Sequence, residues 1–245
     1  MRLVVICFIL SLIVGCGGGG GSNSATGVTD LTYKFDESSG ATAANSSASF
    51  FNGTIYGANR VAGKSGNALH FGSSGARVEI PMLDPNKAGQ PGYYLQLPFE
   101  TNTISIDSWI SLDSISLNSI HQIVGSGDGG LTSFRFQINN GKLELAVNDN
   151  FLWKSVILGN QVLTAGAWHH VAVTYNGTLA TLYIDGAPDA TNNITYQIPT
   201  NYNTLYVADI GEGPDHQLLG VIDELRISKK LRSGAEIAAY YQATR

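Results

Sequence analysis

The sequence alternates between apolar and polar residues along most of its length. β-Branched and aromatic residues recur at every second position, and Gly, Asn and Asp separate the runs. This spacing is typical of β-strands that bury one face. It predicts strands at 31–35, 103–112, 134–138 and 142–147, and the Asn-Asn-Gly turn at 139–141 predicts that the last two form a hairpin.

Two adjacent histidines, His169 and His170, lie near the start of the run 168–177. Neighbouring side chains of a strand point to opposite faces, so these two imidazoles cannot reach the same metal ion or substrate atom. Both faces of the run are largely apolar, as expected for a strand inside a sandwich. The pattern therefore predicts a structural role for both residues, with their ring nitrogens bonded to neighbouring backbone.

The C-terminal part of the chain contains the remaining elements. Two turn signals divide residues 168–190 into a three-stranded meander, and the run 219–228 predicts a late strand. Ser233, with Glu236 three residues later, predicts a capping box that opens a helix at 235–241. The sequence therefore predicts an all-β fold of two packed antiparallel sheets with one short C-terminal helix.

The N-terminus has the features of a targeting segment. The apolar run at 3–14 spans about 18 Å as a helix, which is too short to cross a membrane. A small residue precedes Cys16, and this arrangement resembles the lipobox of bacterial lipoproteins. The resemblance implies a signal peptide at 1–15 and lipidation of Cys16. The alternative is an ordinary secretory signal with a chance cysteine.

A tether and a single domain are predicted to follow the signal peptide. Residues 16–27 are rich in Gly and Ser, a composition typical of flexible linkers. Residues 28–245 contain no second linker and predict one β-rich domain. The residue after Cys16 is Gly rather than Asp, which implies sorting to an outer membrane. We therefore expect a lipid-anchored protein of the bacterial cell envelope.

The charge composition narrows the choice of partners. The formal net charge is −5, 13% of residues are charged, and basic residues form no cluster. Nucleic-acid binding depends on Lys and Arg groups that neutralise phosphates, so this composition disfavours a nucleic-acid partner. Low charge with many Asn, Ser, Thr and Gly residues is instead typical of extracellular β-proteins.

Several motifs together resemble one family. WHHVAVTYNG at 168–177, LYIDG at 182–186 and GVIDELRI at 220–227 are similar to motifs of laminin G-like, concanavalin A-like (lectin/glucanase-like) jelly-roll domains. Upstream segments at 33–40 and 103–109 are similar in the same order. The resemblance implies a sandwich of two antiparallel sheets with roughly six or seven strands each. Domains of this kind bind sugars, bind proteins or space out larger chains.

The sequence lacks the residue patterns of an enzyme. A hydrolase on such a sandwich needs two carboxylates that flank the scissile bond. Resembling hydrolases place them in a Glu-x-Asp-x-Glu run, and this chain has no such run. Asp223 and Glu224 are adjacent and so point to opposite faces, and Gly-x-Ser-x-Gly is also missing. We therefore expect a non-catalytic domain.

The resemblance also implies a structural calcium ion between the N-terminal loop and the last strand. The matching positions are Asn45, Asn52, Gly53 and Asp223. The family usually has Asp at the position of Asn45, and the lost negative charge lowers calcium affinity. The alternative is that Asp223 caps a turn or pairs with an arginine.

Candidate ligand-binding residues lie in the least family-like segment. Residues 81–102 predict a long inserted loop that contains Tyr93, Tyr94 and Phe99. With Tyr202 from a later loop, these rings could stack on the apolar face of a sugar; the alternative is that they fold over the core. The sequence thus predicts a surface-anchored carbohydrate-binding (lectin-like) or adhesion module, with a glycan or a surface protein as ligand. The alternative is a structural or protein-interaction domain without a glycan ligand.

Overall fold

The computed structural model describes residues 30–48, 50–82, 102–116, 118–126, 132–149, 152–198, 204–209 and 216–245. Within these ranges the chain forms sixteen strands and one helix, α1 (Gly234–Thr244). The strands are β1 (Asp30–Tyr33), β2 (Thr42–Ala43), β3 (Gly53–Tyr56), β4 (Asn59–Ala62), β5 (Asn67–Phe71), β6 (Arg77–Pro81), β7 (Ile104–Leu112), β8 (Ile120–Ser126), β9 (Thr132–Asn139), β10 (Lys142–Asp149), β11 (Leu152–Leu158), β12 (Trp168–Tyr175), β13 (Leu179–Ile184), β14 (Ala187–Asn193), β15 (Thr204–Val207) and β16 (Gly220–Ser228). In the described part of the chain, no helix has the length and apolar character needed to span a bilayer.

The strands form two sheets of eight. Sheet A has the order β14-β13-β12-β7-β16-β5-β4, with β1 also paired to β16, and sheet B has the order β11-β10-β9-β8-β15-β6-β3-β2. Neighbouring strands are antiparallel throughout. The predicted all-β sandwich is confirmed, with more strands in each sheet than the six or seven that the resemblance implied.

One large apolar core fills the space between the two sheets. In β9, Phe134, Phe136 and Ile138 are fully buried in this core. The residues between them point to the outer face, because strand side chains alternate. Each strand of sheet B therefore presents one set of residues to the core and the other set to the outer surface.

The hairpins predicted from turn residues are confirmed. Between β9 and β10, Asn140 and Gly141 have φ angles of 52° and 78°. Between β13 and β14, Asp185 and Gly186 have φ angles of 50° and 77°. Two consecutive residues with positive φ are the signature of a type I′ turn, whose twist matches that of the paired strands. The local turn chemistry was therefore sufficient to locate these strand pairs.

The capping box at the start of α1 is also confirmed. The Ser233 hydroxyl accepts a hydrogen bond from the Glu236 N–H (3.3 Å), and the Ser233 N–H donates to Glu236 Oε2 (2.8 Å). Ile237 of the helix is fully buried and packs with Ala172 and Tyr183 on the outer face of sheet A. The helix therefore covers part of this face.

The two histidines point in opposite directions, as the alternation predicts. His169 Nδ1 lies 2.9 Å from Asp185 Oδ2, and its Nε2 lies 2.7 Å from the Thr164 hydroxyl. The Thr164 N–H also donates to Nε2 (3.4 Å), so the predicted contact with neighbouring backbone is present at His169. The side-chain contact with Asp185 was not predicted; it arises because the tight turn after β13 brings the Asp185 carboxylate beside β12.

His170 is fully buried beneath α1 and packs against Trp109 and Tyr240, with ring centroids 5.4 and 5.5 Å away. Its Nε2 lies 3.5 Å from Asp107 Oδ1. The prediction of a backbone partner is wrong for His170, because the helix and a buried carboxylate surround the ring instead.

Asp107 is the charged centre of this region. Its Oδ1 accepts a hydrogen bond from Arg226 Nε (2.6 Å), and Arg232 donates to its Oδ2. Burial by itself would raise the pKa of Asp107, but His170 and the two arginines outweigh burial and hold the pKa below its usual value. The carboxylate thus links strands of sheet A to the segment that leads into the helix.

We predict that Asp107→Asn lowers the free energy of unfolding at pH 7 by about 3–5 kcal/mol, because it leaves buried arginine charges uncompensated. The folded-state pKa of Asp107 is lowered, so its stabilising contribution is present above the unfolded pKa of about 3.9 and is lost as pH falls through the folded pKa. The variant should therefore lose stability at pH 7 and show a weaker pH dependence in acid.

Urea denaturation at pH 7 and at acid pH measures both effects. The control is Asp113→Asn, since Asp113 pairs with His70 at the surface and its side chain is 48% exposed. That change should cost less than about 1 kcal/mol. Equal losses for the two variants at pH 7 would contradict the role assigned to Asp107.

Candidate functional site

The outer face of sheet B carries a cleft of about 510 Å³. Strands β9, β10 and β11 form most of its walls, together with residues from outside these strands. The side chains that give the cleft its chemistry are one indole, two charged groups, two amides and an imidazole: Trp153, Arg135, Glu144, Gln137, Asn139 and His216. A mixture of one ring and several polar groups is typical of small-molecule binding sites.

Strand alternation places the polar residues of the cleft. In β9, Arg135, Gln137 and Asn139 occupy the positions between the buried core residues. In β10, Glu144 is the direct cross-strand partner of Gln137. Because paired residues of neighbouring strands point to the same face, the pairing brings these side chains together on the outer surface.

Trp153 provides the apolar part of the cleft. The indole is 37% exposed, whereas Arg135 is 2% exposed. The guanidinium carbon of Arg135 lies 3.8 Å from the ring centroid, a cation–π contact. The arginine thus occupies one side of the ring and restricts its rotation, which leaves a rigid apolar surface beside the polar groups.

The cleft also contains polar groups, some of which lack a hydrogen-bond partner among the described residues. Glu144 Oε2 accepts hydrogen bonds from Gln137 Nε2 (2.6 Å) and Asn139 Nδ2 (2.9 Å). Gln137 Oε1 and His216 Nδ1 are buried and have no hydrogen-bond partner among the described residues. A buried polar atom without a partner costs about 1–3 kcal/mol, and a ligand that supplies the missing bond removes that cost. The arrangement therefore suits a ligand with hydroxyl groups.

The aromatic residues selected from the sequence do not include Trp153. Tyr93, Tyr94, Phe99 and Tyr202 lie outside the described residues, so their part in ligand binding stays a prediction. Sequence reasoning missed Trp153 because strand β11 reads LWKSVIL, which has no clean alternation. The sequence pattern that could have located this face is in β9, where polar residues alternate with aromatic core residues.

The structure brings together three of the four predicted calcium ligands. The Asn45 N–H donates to Asn52 Oδ1 (2.9 Å), and Gly53 follows directly. However, Asn45 Oδ1 already accepts two backbone N–H groups, from Thr32 and Ser47, both at 3.1 Å. An amide oxygen has two lone pairs, so Asn45 as arranged stabilises its loop and does not fit a calcium ion.

Asp223 has different neighbours from the two asparagines. It is fully buried, its Oδ2 accepts the Ser65 N–H (3.0 Å) and its Oδ1 accepts the Glu224 N–H (2.8 Å). Burial raises the pKa of Asp223 to about 7; the Ser65 N–H opposes this rise and the Glu224 charge adds to it. Asp223 therefore caps a turn, in agreement with the alternative considered from the sequence. Within the described ranges, no three His, Cys, Asp or Glu side chains are arranged to hold a metal ion.

Comparison with known proteins identifies the fold. The sequence model Laminin_G_3, described as the concanavalin A-like lectin/glucanases superfamily, matches residues 87–238. A search of curated proteins found no significant match. Domain 4 of AbnA, a GH43 extracellular arabinanase from Geobacillus stearothermophilus, was solved in complex with arabinotriose. It is 18% identical with a TM-score of 0.67, and the similarity covers 86% of this chain and 97% of that one.

Two larger proteins contain a similar unit. The botulinum neurotoxin serotype D binding domain is 19% identical with a TM-score of 0.63, over 88% of this chain and 52% of that one. Trypanosoma rangeli sialidase, in complex with 2,3-difluorosialic acid, is 14% identical with a TM-score of 0.61, over 86% of this chain and 32% of that one. At these identities the similarity shows the fold alone. Since the family match extends over more than half of the sequence, the chain belongs to the concanavalin A-like lectin/glucanases superfamily.

Proposed function

We propose that this domain binds carbohydrate without catalysing a reaction, and that the ligand occupies the cleft on the outer face of sheet B. The observation that carries the proposal is the exposed Trp153 ring, backed by Arg135, beside the unpartnered acceptor of Gln137. An aromatic face suits the apolar C–H face of a sugar ring, and amide and carboxylate groups suit its hydroxyl groups.

The spacing of carboxylates supports a non-catalytic role. Two carboxylates of this face are Glu79 on β6 and Glu144 on β10. These strands are four steps apart in sheet B, which corresponds to about 19 Å at about 4.8 Å per strand. Glycoside hydrolysis requires two carboxylates about 5–9.5 Å apart. Glu79 and Glu144 are too far apart to act on one glycosidic bond.

The structural neighbours give independent support for a glycan ligand. The AbnA domain, 97% of which the similarity covers, was solved with arabinotriose. The sialidase was also solved with a sialic acid derivative, but the similarity covers 32% of that chain. A protein-binding role would instead favour a flat apolar patch of several hundred Å². The described face of sheet B offers a polar cleft with one exposed ring, which favours a glycan over a protein ligand.

We predict that Trp153→Ala weakens glycan binding about 30-fold, because removing a central aromatic anchor costs about 2 kcal/mol or more. Affinity electrophoresis in gels that contain arabinan, arabinoxylan or mixed-linkage β-glucan measures the effect. The control is Leu152→Ala, since Leu152 is 65% exposed at the adjacent position of the same strand. Both variants should unfold at the wild-type temperature. Unchanged retention of Trp153→Ala would exclude the cleft as the binding site.

We also propose that the protein is anchored to a bacterial membrane through lipid on Cys16. Each CH₂ group of an acyl chain buried in a membrane contributes about 0.8 kcal/mol, so several chains on one cysteine provide lasting attachment. We predict that Cys16→Ala abolishes labelling by a palmitate analogue in a bacterial host and moves the protein from the membrane fraction to the soluble fraction. Undiminished membrane association of the variant would contradict lipid anchoring.

We retain calcium binding as a proposal, with Asp223 as the ligand from the predicted set. A divalent cation would stabilise this buried carboxylate, which has Glu224 beside it. We predict that calcium raises the melting temperature of the protein relative to a chelator, because a ligand that binds only the folded state stabilises it. Asp223→Asn should remove the calcium effect. A wild-type melting temperature that does not respond to calcium would contradict the site.

A further inference from the structure

The outer face of sheet B carries a second aromatic ring, far from the cleft. Tyr56 on β3 is 41% exposed, and the guanidinium carbon of Arg77 lies 4.6 Å from its ring centroid. Trp153 and Arg135 form the same kind of pair at the other end of the sheet. Among the large apolar side chains that the described residues leave exposed, Tyr56 and Trp153 are the aromatic ones. Both of these rings lie on one face of one sheet.

A single row of cross-strand pairs connects the two aromatic residues. From β11 to β2 the paired residues are Ser155, Ala146, Arg135, Gly125, Tyr206, Glu79, Thr54 and Thr42. Trp153 lies two residues from Ser155, and Tyr56 lies two residues from Thr54. Residues two apart in a strand point to the same face, so both rings border the row, Trp153 on the side of its partner Asn148 and Tyr56 on the opposite side, level with Arg77.

The residues in the middle of the row have small side chains. Ala146 has a single methyl group as its side chain, and Gly125 has none. A Cβ atom at Gly125 would lie 2.6 Å from the Phe134 carbonyl oxygen, so close packing of β8 and β9 requires glycine there. The next residue in the row, Tyr206, is partly exposed and adds aromatic surface between the two ends. The face therefore has a shallow floor with rings at both ends.

The separation of the rings sets the length of a ligand that contacts both. Strands β11 and β3 are six steps apart in sheet B, which corresponds to about 29 Å at about 4.8 Å per strand. This length exceeds that of a mono- or disaccharide. The row also runs from one edge strand of the sheet to the other, so a long chain can continue past both ends.

Most of the charged groups on this face are engaged by neighbouring side chains, and Lys154 at the cleft lies over the ring of Tyr196. Arg77 Nε donates to Glu79 Oε1 (2.7 Å), and Glu144 accepts hydrogen bonds from two amides. The guanidinium of Arg135 lies against the indole of Trp153. The whole chain has a net charge of −5, which disfavours a polyanion. The face therefore matches an uncharged polyhydroxyl chain better than a uronate or sulfated glycan.

We propose that the ligand is an internal stretch of a neutral polysaccharide that crosses the strands of sheet B and contacts both Trp153 and Tyr56. This inference rests on the proposed glycan binding and adds to it the length, direction and charge of the ligand. The cleft beside Trp153 is then one subsite of a longer site, and the Tyr56–Arg77 pair forms the distal subsite.

The test compares Tyr56→Ala and Trp153→Ala with wild type, using the full-length protein. Affinity electrophoresis first identifies which of arabinan, arabinoxylan and mixed-linkage β-glucan retards the wild type, with polygalacturonate and alginate as anionic probes. Calorimetry then measures the affinity for oligomers of increasing length from the retarding polysaccharide. Leu179→Ala is the control, because Leu179 lies in sheet A and is 40% exposed, close to the exposure of Tyr56.

We expect wild-type affinity to rise with oligomer length and to be insensitive to salt between ~0.05 and ~0.5 M, since a neutral ligand has no screened charge contacts. Tyr56→Ala should weaken binding of long oligomers about tenfold and leave trisaccharide binding unchanged. Trp153→Ala should weaken both, and Leu179→Ala neither. Thermal melts verify that Tyr56→Ala folds, as expected for an exposed side chain.

The outcomes separate the two proposals. If Tyr56→Ala binds long oligomers as well as wild type while Trp153→Ala loses binding, the extended site is overturned and the cleft is retained. Retention on polygalacturonate or alginate that weakens with salt overturns the neutral ligand. Wild-type binding by Trp153→Ala overturns the proposed function itself.

Discussion

Burial of alternate residues between two sheets is the constraint on which the rest of this structure depends. In β9, the core takes Phe134, Phe136 and Ile138, and this choice directs Arg135 and Gln137 outward. A slip of one residue in register would place polar groups in the core and aromatic groups outside. The requirement to bury the apolar residues therefore also determines the composition of the outer face. The same alternation of residues gives both the core and the proposed site.

The arginines of sheet B lie against the aromatic rings that we propose to contact the ligand. An exposed ring on a strand loses rotamer freedom when a ligand binds, and this loss reduces affinity. At Trp153 and Tyr56 a guanidinium already lies against one side of the ring. Arg77 is itself held, since its Nη1 donates to the Gly75 carbonyl (3.0 Å). Much of the rotamer freedom of these two rings is thus lost during folding, before the proposed ligand binds.

The outer faces of the two sheets differ in what covers them and in the side chains that they carry. On sheet A, α1 packs over Ala172 and Tyr183, and Asp107 is buried with its basic partners beneath the helix. The same element that stabilises this face also covers it. On sheet B, the described strands carry the cleft and two exposed rings. The division explains why a motif as prominent as the paired histidines is structural, because His169 and His170 belong to the sheet that is held by turns and by the helix.

Local sequence specified the elements that depend on neighbours along the chain. Asn140 and Gly141 tolerate positive φ and so specify a hairpin, and Ser233 and Glu236 cap a helix from within four residues. The family motifs then identified the sandwich, because they recur in a characteristic order. These features need no information about distant contacts, so they could be predicted correctly.

Which side chains meet across strands depends on how the two sheets pack. Arg135 and Trp153 come together through β10, whose pairing with β11 shifts register between Leu145 and Ala146. Tyr56 joins the same face as Trp153 because β3 pairs with β6, a neighbour distant in sequence order. Bulges and strand order depend on how the whole core packs, and no local pattern encodes them. For that reason the sequence could not indicate that Trp153 and Tyr56 lie on one face of one sheet.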